Sequence, residues 1–566
     1  MSDKESRSHD DAPFDEADAL GALDPLGFAQ AWMKAANSIA EDPAAAMEAG
    51  QRYTSDLLAA QAAAVTRALG GEAEGPATVS RKDRRFREAG WEENPYLFAL
   101  LQNYLLSGRL VDEIVESVDV DETTGHKLEF MADALMDALA PSNNPALNPA
   151  VAKKALDTGG ASLVKGLQNF ADDVAHNDGL PRQVPRDAFT VGKDLATTEG
   201  KVVYRNDLME LIQYSPRTET VFETPLLLSP PWINKYYIMD LAPGRSFVEW
   251  AVEHGHTVFA ISYRNPDADD RDTTLGDYKL GGPLTAIDVI TEITGAPKVN
   301  IVGLCLGGTV TAALLAYMAA KGDDRVASVT LLNTLVDFSE PGRLGAFTDK
   351  ASVERLEKRI MDRGYLDASE MMGVFTFMRS NDLVWNYAVN NWLLGEDPPA
   401  FDILFWNSDS TRLPAKMHSF YLRSCYLGNQ LAEGTMTLRG TELDLGDITA
   451  DTYILAAEQD HITPWRGSFS TTRLLSGAKV RFVLSSAGHI AGIVNPPSPK
   501  AWYRTNNRLP KKPETWLKNS ALHEGTWWED WAEWIGKRSG ERVEPPSMGS
   551  SAHPPMVDAP GAYVLK

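Results

Sequence analysis

Residues 299–320 read VNIVGLCLGGTVTAALLAYMAA, and this stretch decides the fold of the chain. It opens with an apolar, β-branched run typical of a buried strand and closes with a helix-forming run that begins at Thr309. The segment GLCLGG between them matches the G-x-S-x-G turn from strand to helix, with Cys305 in the position of the serine. The stretch therefore predicts an α/β fold with a nucleophile at the tip of a strand.

The glycines of this turn have a physical role, because side chains at Gly303 and Gly307 would clash with neighbouring elements. The middle residue is forced into a strained backbone conformation that exposes its side chain. The start of the following helix also favours the thiolate form of Cys305. The alternative interpretation is a buried cysteine in a tight turn, without chemistry of its own.

An acid and a histidine follow Cys305 in the order that this kind of turn requires. The run TYILAA (452–457) leads to Asp460, and the run KVRFVL (479–484) leads to His489. Both residues lie just past a predicted strand, where the sites of α/β proteins form. We expect His489 to take the proton of Cys305, and Asp460 to hold the imidazole and stabilise its charged form.

Other candidates have weaker support. Glu458 is an alternative acid, whereas His461 directly follows the predicted acid and cannot easily face the same way. His254 and His256 have the spacing of a metal-binding pair, but no third ligand accompanies them, so we expect turn residues and no metal site. Cys425 lies on a predicted helix without a comparable turn, which favours a buried structural thiol.

Six strand-like runs alternate with helical stretches from about residue 187 onward, which predicts a mainly parallel sheet with helices on both faces. They are Pro225–Ser229, Thr257–Ile261, Val299–Gly303, Ala327–Leu332, Thr452–Ala457 and Lys479–Leu484. Residues 337–440 break this alternation, and we expect them to form a cap over the carboxyl ends of the strands. The aromatic residues of this segment fit an apolar channel or a self-association surface, and equally the core of the cap.

Residues 25–186 predict an all-helical N-terminal domain, and residues 187–566 the catalytic domain. One helix is expected to begin at Asn94-Pro95, since Asn is a favoured N-cap and Pro fits the first turn. The apolar face predicted for a second helix consists of Phe130, Ala134, Leu135 and Ala138. Residues 1–24 are polar and acidic, and we expect them to be disordered.

Composition excludes several classes of protein. The 566 residues contain only two cysteines, which excludes a disulfide scaffold or a Cys-rich metal module. A net charge of −24 argues against nucleic-acid binding. The N-terminus lacks the apolar segment of a secretion signal, and the longest apolar run, Val310–Ala320, is too short to span a bilayer. We therefore expect a cytoplasmic protein with reduced thiols.

Several motifs together resemble those of the polyhydroxyalkanoate synthases, especially the single-subunit class I type that makes polyhydroxybutyrate. The resemblance extends from about Asp83 to the C-terminus, with Tyr263 where the family usually has Trp. It rests on PPWINKYY (230–237), SYRNPDA (262–268), GLCLGGT (303–309), NDLVWNY (381–387), FWN (405–407), DH (460–461), GHIAG (488–492), WW (527–528) and APGAY (559–563). It implies an α/β-hydrolase fold with a cap insertion behind a helical N-terminal domain.

The resemblance also implies an activity: polymerisation of (R)-3-hydroxyacyl-CoA, above all 3-hydroxybutyryl-CoA, with release of CoA and without a cofactor. It makes Cys305 the acylated nucleophile, His489 the base and Asp460 the third member. Whether that acid orients the histidine or helps to activate the substrate hydroxyl stays open. The fold implies the backbone N–H groups of Leu306 and Ile233 as oxyanion donors. The family further implies a homodimer associated with polymer granules.

Cysteine fits this chemistry, because transfer of the acyl group from CoA to Cys305 exchanges one thioester for another. The acyl group stays reactive towards a hydroxyl, provided that the pocket excludes water. One alternative is a thioesterase or polyester hydrolase with the same triad, and another is a granule protein with a decayed site. The residues that bind CoA are unknown. Arg379 and Arg466 lie next to matched motifs and are candidates for contact with its phosphates, although we favour a structural or surface role for each.

Overall fold

The structure is a computed structural model that describes residues 27–566, so the predicted disordered segment 1–24 lies outside the described residues. Helices precede the first strand of the described chain. They are α1 (Phe28–Glu41), α2 (Ala44–Ala68), α3 (Gly90–Glu93), α4 (Pro95–Ser117), α5 (Glu122–Ala138), α6 (Pro149–Asp157) and α7 (Ala161–His176).

For two of these helices, α4 and α5, the sequence made specific predictions. Helix α4 begins as predicted, because the Asn94 side chain accepts hydrogen bonds from the N–H groups of Tyr96 and Leu97. The face predicted for α5 is only partly correct, since Phe130 stacks on Phe28 of α1 whereas Leu135 is 48% exposed. Its buried residues instead include Leu128, which packs against α1, and an apolar pattern alone does not show where the partner helix lies.

A ten-stranded sheet forms the centre of the chain, in the order β1-β2-β5-β4-β6-β7-β12-β13-β14-β15. The strands β5-β4-β6-β7-β12-β13 run parallel, and the two strands at each edge pair antiparallel. The six parallel strands are the six predicted runs, with ends that differ by one or two residues. The strands of this sheet are β1 (Gly200–Arg205), β2 (Met209–Tyr214), β4 (Leu226–Ser229), β5 (Val258–Tyr263), β6 (Val299–Leu304), β7 (Val326–Leu332), β12 (Asp451–Ala457), β13 (Val480–Ser485), β14 (Trp502–Thr505) and β15 (Ala521–Glu524).

Short strands pair outside this sheet: β3 (Val221–Phe222) with β16 (Arg542–Val543), β8 (Tyr365–Leu366) with β9 (Leu413–Pro414), and β10 (Thr437–Leu438) with β11 (Thr441–Glu442). The remaining helices follow the chain through and beyond the sheet. They are α8 (Phe247–Glu253), α9 (Leu275–Lys279), α10 (Thr285–Thr294), α11 (Leu306–Ala320), α12 (Lys350–Arg363), α13 (Ala368–Phe377), α14 (Asp402–Ser408), α15 (Ala415–Tyr421), α16 (Trp465–Leu474), α17 (Pro513–Lys518) and α18 (Trp527–Gly536).

Helices cover both faces of the sheet, because the parallel strands are apolar on both sides. Along β6, Val299 and Ile301 belong to one core cluster, whereas Val302 and Leu304 belong to the other. Helix α11 lies in the first cluster, and α18 packs its tryptophans into the second. Together these layers form an α/β-hydrolase fold behind a helical N-terminal region.

Residues 337–440, which we call the insertion, connect β7 to the turn before β12 and contact the N-terminal helices. The Asp137 carboxylate of α5 accepts hydrogen bonds from the Ser380 hydroxyl and the Asn381 N–H. On α7, the Asp173 carboxylate accepts a hydrogen bond from the Trp392 indole at 2.9 Å. The N-terminal helices therefore hold the insertion in place. Within residues 27–566, we find no helix that is both long and apolar enough to cross a bilayer.

Candidate active site

Cys305 occupies the turn between β6 and α11 that the sequence predicts. Its backbone has φ 51° and ψ −119°, a region that residues other than glycine rarely adopt. The Cys305 N–H donates to the Leu332 carbonyl at 2.8 Å, and the Thr334 hydroxyl donates to the Cys305 carbonyl at 3.2 Å. These bonds to the neighbouring strand maintain the strained conformation, which directs the side chain away from the sheet.

The glycines around Cys305 are required by close approach. A Cβ at Gly303 would lie 2.6 Å from the Gly308 Cα, and a Cβ at Gly307 would lie 2.1 Å from the Ser229 carbonyl oxygen. The predicted steric role of both glycines is confirmed. Gly308 is a third, unpredicted case, since its Cβ would lie 2.0 Å from the Thr334 hydroxyl.

The loops after β12 and β13 bring Asp460 and His489 together. The Asp460 Oδ2 lies 2.7 Å from the His489 Nδ1, and both residues are buried. Cys305 and His489 both line the same cavity. Because Nδ1 faces the carboxylate, Nε2 is the nitrogen available to the sulfur. The structure therefore joins Asp460 to His489 and places Cys305 at the same cavity as the histidine.

A turn of the chain orients the Asp460 carboxylate. Its Oδ1 accepts the N–H groups of Ile462 and Thr463, each at 2.9 Å, and its Oδ2 accepts the Thr463 hydroxyl at 2.7 Å. The Asn333 side chain donates to the His489 carbonyl and fixes the backbone there. Thr463 and Asn333 were not predicted from the sequence. The spacing between Asp460 and Thr463, whose N–H it accepts three residues later, is a turn signal that could have identified Thr463.

Opposite charges control the protonation of this pair. Burial alone would lower the pKa of His489, but attraction to the Asp460 carboxylate and to the Cys305 thiolate raises that pKa well above its ordinary value. Burial likewise opposes the charged form of Asp460, yet the imidazolium and the Thr463 hydrogen bonds hold the pKa of Asp460 below its usual range. The arrangement therefore favours the imidazolium form of His489.

A cavity of about 540 Å³ opens over Cys305 and His489. The insertion supplies half of its lining residues, and most of the others lie at the carboxyl ends of β4, β6, β12 and β13 or in the loops that follow them. The apolar wall residues from the insertion are Met371, Met372, Phe375, Leu383, Phe401, Ile403, Leu404 and Trp406. Phe375 and Trp406 thus favour the channel interpretation of the aromatic residues, whereas Trp392 packs against Phe170 of α7.

Both predicted oxyanion donors lie near this cavity. Leu306 is the first residue of α11, so its N–H has no partner within the helix. Ile233 lines the cavity from the loop that follows β4.

The weaker candidates lie elsewhere or have another role. Glu458 is exposed, and Asp460 is the acid that forms the hydrogen bond with His489. His461 lines the cavity, where burial and the Arg379 charge lower its pKa to about 4. Arg466 forms an ion pair with Glu514 at 2.8 Å.

Cys425, His254 and His256 do not line the cavity. Cys425 is fully buried, and burial raises the pKa of its thiol to about 12. The His254 ring stacks on Trp250, and His256 is buried. Across residues 27–566, no cluster of three or more His, Cys, Asp or Glu side chains is arranged to bind a metal ion.

Comparison with known proteins identifies the family. The sequence model of one protein family, described as the N-terminus of poly-beta-hydroxybutyrate polymerase, matches residues 82–251. A second family model, described as the alpha/beta hydrolase fold, matches residues 241–496. The poly(3-hydroxyalkanoate) polymerase of Methylorubrum extorquens is 43% identical over 541 residues, which cover 95% of this chain and 88% of the relative. The chain belongs to the poly(3-hydroxyalkanoate) polymerase family.

Two further relatives support this assignment. The poly(3-hydroxyalkanoate) polymerase subunit PhaC of Cupriavidus necator is 41% identical, over 92% of this chain and 88% of the relative. The corresponding subunit of Rhizobium meliloti is 40% identical, over 92% and 86%. The chain is therefore a polyhydroxyalkanoate synthase, an acyltransferase that polymerises hydroxyalkanoate units, and the predicted family is confirmed.

Proposed function

We propose that this synthase polymerises (R)-3-hydroxyacyl-CoA, above all 3-hydroxybutyryl-CoA, through a thioester intermediate on Cys305. One observation carries the proposal: Cys305 and His489 line the same cavity, and the Asp460 carboxylate lies 2.7 Å behind the imidazole. The function of the family supports the reaction class, and the shared cavity of Cys305 and the Asp460-bonded His489 supports the covalent route.

The first step transfers the acyl group to the enzyme. The Cys305 thiolate attacks the thioester carbonyl carbon, and the N–H groups of Leu306 and Ile233 stabilise the oxyanion. The C–S bond to CoA breaks, and the departing thiolate takes the proton held on the His489 imidazolium. A thioester on Cys305 and free CoA result, and His489 is left neutral.

The second step forms the polymer bond. Neutral His489 accepts the proton of a 3-hydroxyl group, and that oxygen attacks the acyl carbon on Cys305. The C–S bond to the enzyme breaks, and the thiolate is restored beside the imidazolium. We assign Asp460 to orientation of the imidazole and stabilisation of its charge in both steps, because its hydrogen bond goes to Nδ1.

The cavity suits an acyl-enzyme that must wait for a hydroxyl rather than react with water. Methionine, leucine and aromatic side chains from the insertion cover the cysteine. An apolar wall lowers the local concentration of water, and the alternative activity of a thioesterase or polyester hydrolase would require ready access of water.

We extend the proposal to the organisation of the protein. The all-helical domain comprises residues 25–186 and the catalytic domain residues 187–566, with residues 337–440 as the cap. The active form is a cytoplasmic homodimer on polymer granules, as the family resemblance implies.

The test uses purified protein and 3-hydroxybutyryl-CoA. We expect free CoA together with insoluble polyester. Free CoA with soluble hydroxy acid would favour the hydrolase instead. No release of CoA would contradict both activities and would favour a decayed site.

A further inference from the structure

The charge of the catalytic cavity differs from that of the whole chain. The chain has 78 acidic and 54 basic residues, yet no aspartate or glutamate is among the residues that line the cavity. Apart from the Cys305–His489 pair, its formal charges at neutral pH are the guanidinium groups of Arg84 and Arg379. The cavity therefore presents a local positive charge to a ligand that enters it, which complements an anion.

Only one of these arginines is free to bind a ligand. Arg379 forms an ion pair with Asp382. The side chain of Arg84, in contrast, is exposed and has no ion pair, hydrogen bond or ring contact among residues 27–566. Among the lining residues His489 is buried whereas Arg84 is exposed, so a ligand that arrives from solvent can reach the Arg84 guanidinium.

The neighbouring residue fixes the backbone at this position. Arg85 forms ion pairs with Asp83 at 2.9 Å and with Asp137 at 3.4 Å, and Asp137 in turn binds the insertion at Ser380. The segment that carries Arg84 is thus attached both to the N-terminal helices and to the wall of the cavity.

An adjacent cavity of about 390 Å³ does not offer a comparable charge. It is lined by Arg343 and Arg379, but also by Asp133, Asp137 and Asp382. Arg343 forms an ion pair with Asp133 at 2.6 Å, and Arg379 is paired as above. The carboxylates outnumber the arginines there, so this second cavity does not attract an anion.

We propose that Arg84, a residue of the N-terminal helical region, binds the phosphate groups of the CoA moiety while the acyl group reaches Cys305. This assignment rests on the proposed function, which makes an acyl-CoA the substrate. A guanidinium stays charged and matches phosphate oxygens with two parallel N–H donors. In this proposal Arg84 acts on substrate binding, and the acyl transfer itself is assigned to Cys305 and His489.

The test compares two thioesters that share the same acyl group. One is 3-hydroxybutyryl-CoA, and the other is 3-hydroxybutyryl-N-acetylcysteamine, which has no phosphate. For Arg84→Ala, we expect KM for the CoA thioester to rise roughly fivefold to tenfold relative to KM for the short thioester, since the ionic hydrogen bond is partly screened by water. Arg84→Lys should restore part of the loss.

The matched control is Arg87→Ala, which removes the same charge three residues away, outside the cavity. It should change neither KM more than twofold. A readout that needs no turnover is calorimetric binding of CoA to a Cys305→Ala protein, in which Arg84→Ala should raise Kd by the same factor as KM.

Three results would overturn the assignment: equal KM changes for both thioesters, an equal effect of Arg87→Ala, or an unchanged Kd for CoA. Failure of the proposed function looks different. In that case the wild-type protein would form no acyl-enzyme with either thioester, whereas failure of the Arg84 assignment leaves polymerisation by the wild-type protein intact.

Discussion

Replacement of Asp460 by asparagine tests how the carboxylate acts on His489. The amide has the shape of the carboxylate, and its oxygen can still accept the N–H groups of Ile462 and Thr463, each 2.9 Å from Oδ1. The NH2 group then takes the position of Oδ2, at 2.7 Å from the His489 Nδ1. Since NH2 only donates, Nδ1 must become the acceptor, and the imidazole proton moves to Nε2.

This change removes both functions that we assign to the acid. With its proton on Nε2, the neutral imidazole presents an N–H donor to the sulfur, so this nitrogen cannot accept a proton from a thiol or a hydroxyl. The imidazolium also loses its countercharge. Loss of the acid in an otherwise intact triad lowers kcat by about 10⁴, which corresponds to about 5 kcal/mol at 1.36 kcal/mol for each factor of ten. We expect a loss of 10³-fold to 10⁴-fold in Asp460→Asn.

The assay is the rate of CoA release from 3-hydroxybutyryl-CoA, measured both in the steady state and in the first turnover. Our account predicts that the first equivalent of CoA is released slowly as well, because His489 acts in both steps. Glu458→Gln is the matched control, since it neutralises the exposed carboxylate two residues earlier. It should retain at least half of the activity, and circular dichroism should show that both variants are folded.

Two results would refute this reasoning. A loss below tenfold in Asp460→Asn would show that the carboxylate neither orients nor stabilises the imidazole. A first equivalent of CoA released at the wild-type rate, followed by arrest, would instead assign Asp460 to activation of the substrate hydroxyl alone.

Two further predictions concern the cysteines and a buried lysine. Cys305→Ala should abolish CoA release while Cys425→Ala retains most of it, because the second thiol is fully buried, and similar losses in both would refute the assignment. Burial of Lys279 lowers the pKa of its ammonium group from 10.5 to about 8. This shift corresponds to about 3 kcal/mol of destabilisation of the folded protein at neutral pH. Lys279→Met should therefore raise the melting temperature at pH 7. Between pH 8 and 10.5 the unfolded chain binds a proton that the folded chain does not, so the stability of the wild type rises with pH. The stability advantage of Lys279→Met over the wild type therefore shrinks in this pH range. A lower melting temperature for the variant than for the wild type at pH 7 would contradict the prediction.

The central part of the fold was predictable from the sequence, and the edges of the sheet were not. The six parallel strands are buried on both faces and therefore appear as continuous apolar runs. The edge strands β14 and β15 are short, and β15 contains the largely exposed residues Ala521–Glu524. Their antiparallel pairing depends on the neighbouring strand rather than on their own composition.

Some residues of the site were likewise predictable from the sequence, and others were not. Cys305 was predictable because a tight turn from strand to helix allows few residue types, and Asp460 and His489 followed from the order of the motif. Thr463 could have been inferred from local turn geometry. Arg84 could not, because more than two hundred positions separate it from Cys305 and only the packing of the N-terminal helices against the insertion brings it to the cavity.

The most direct test of the account is to trap the acyl group on the enzyme. Butyryl-CoA has no 3-hydroxyl, so an acyl group delivered from it cannot be attacked by a second unit of the same substrate. After brief incubation and proteolysis, mass spectrometry should find one butyryl group on the peptide that contains Cys305, and none on that peptide in Cys305→Ala. A butyryl group on Cys425 or on another residue, or free butyrate without any labelled peptide, would contradict the covalent role of Cys305.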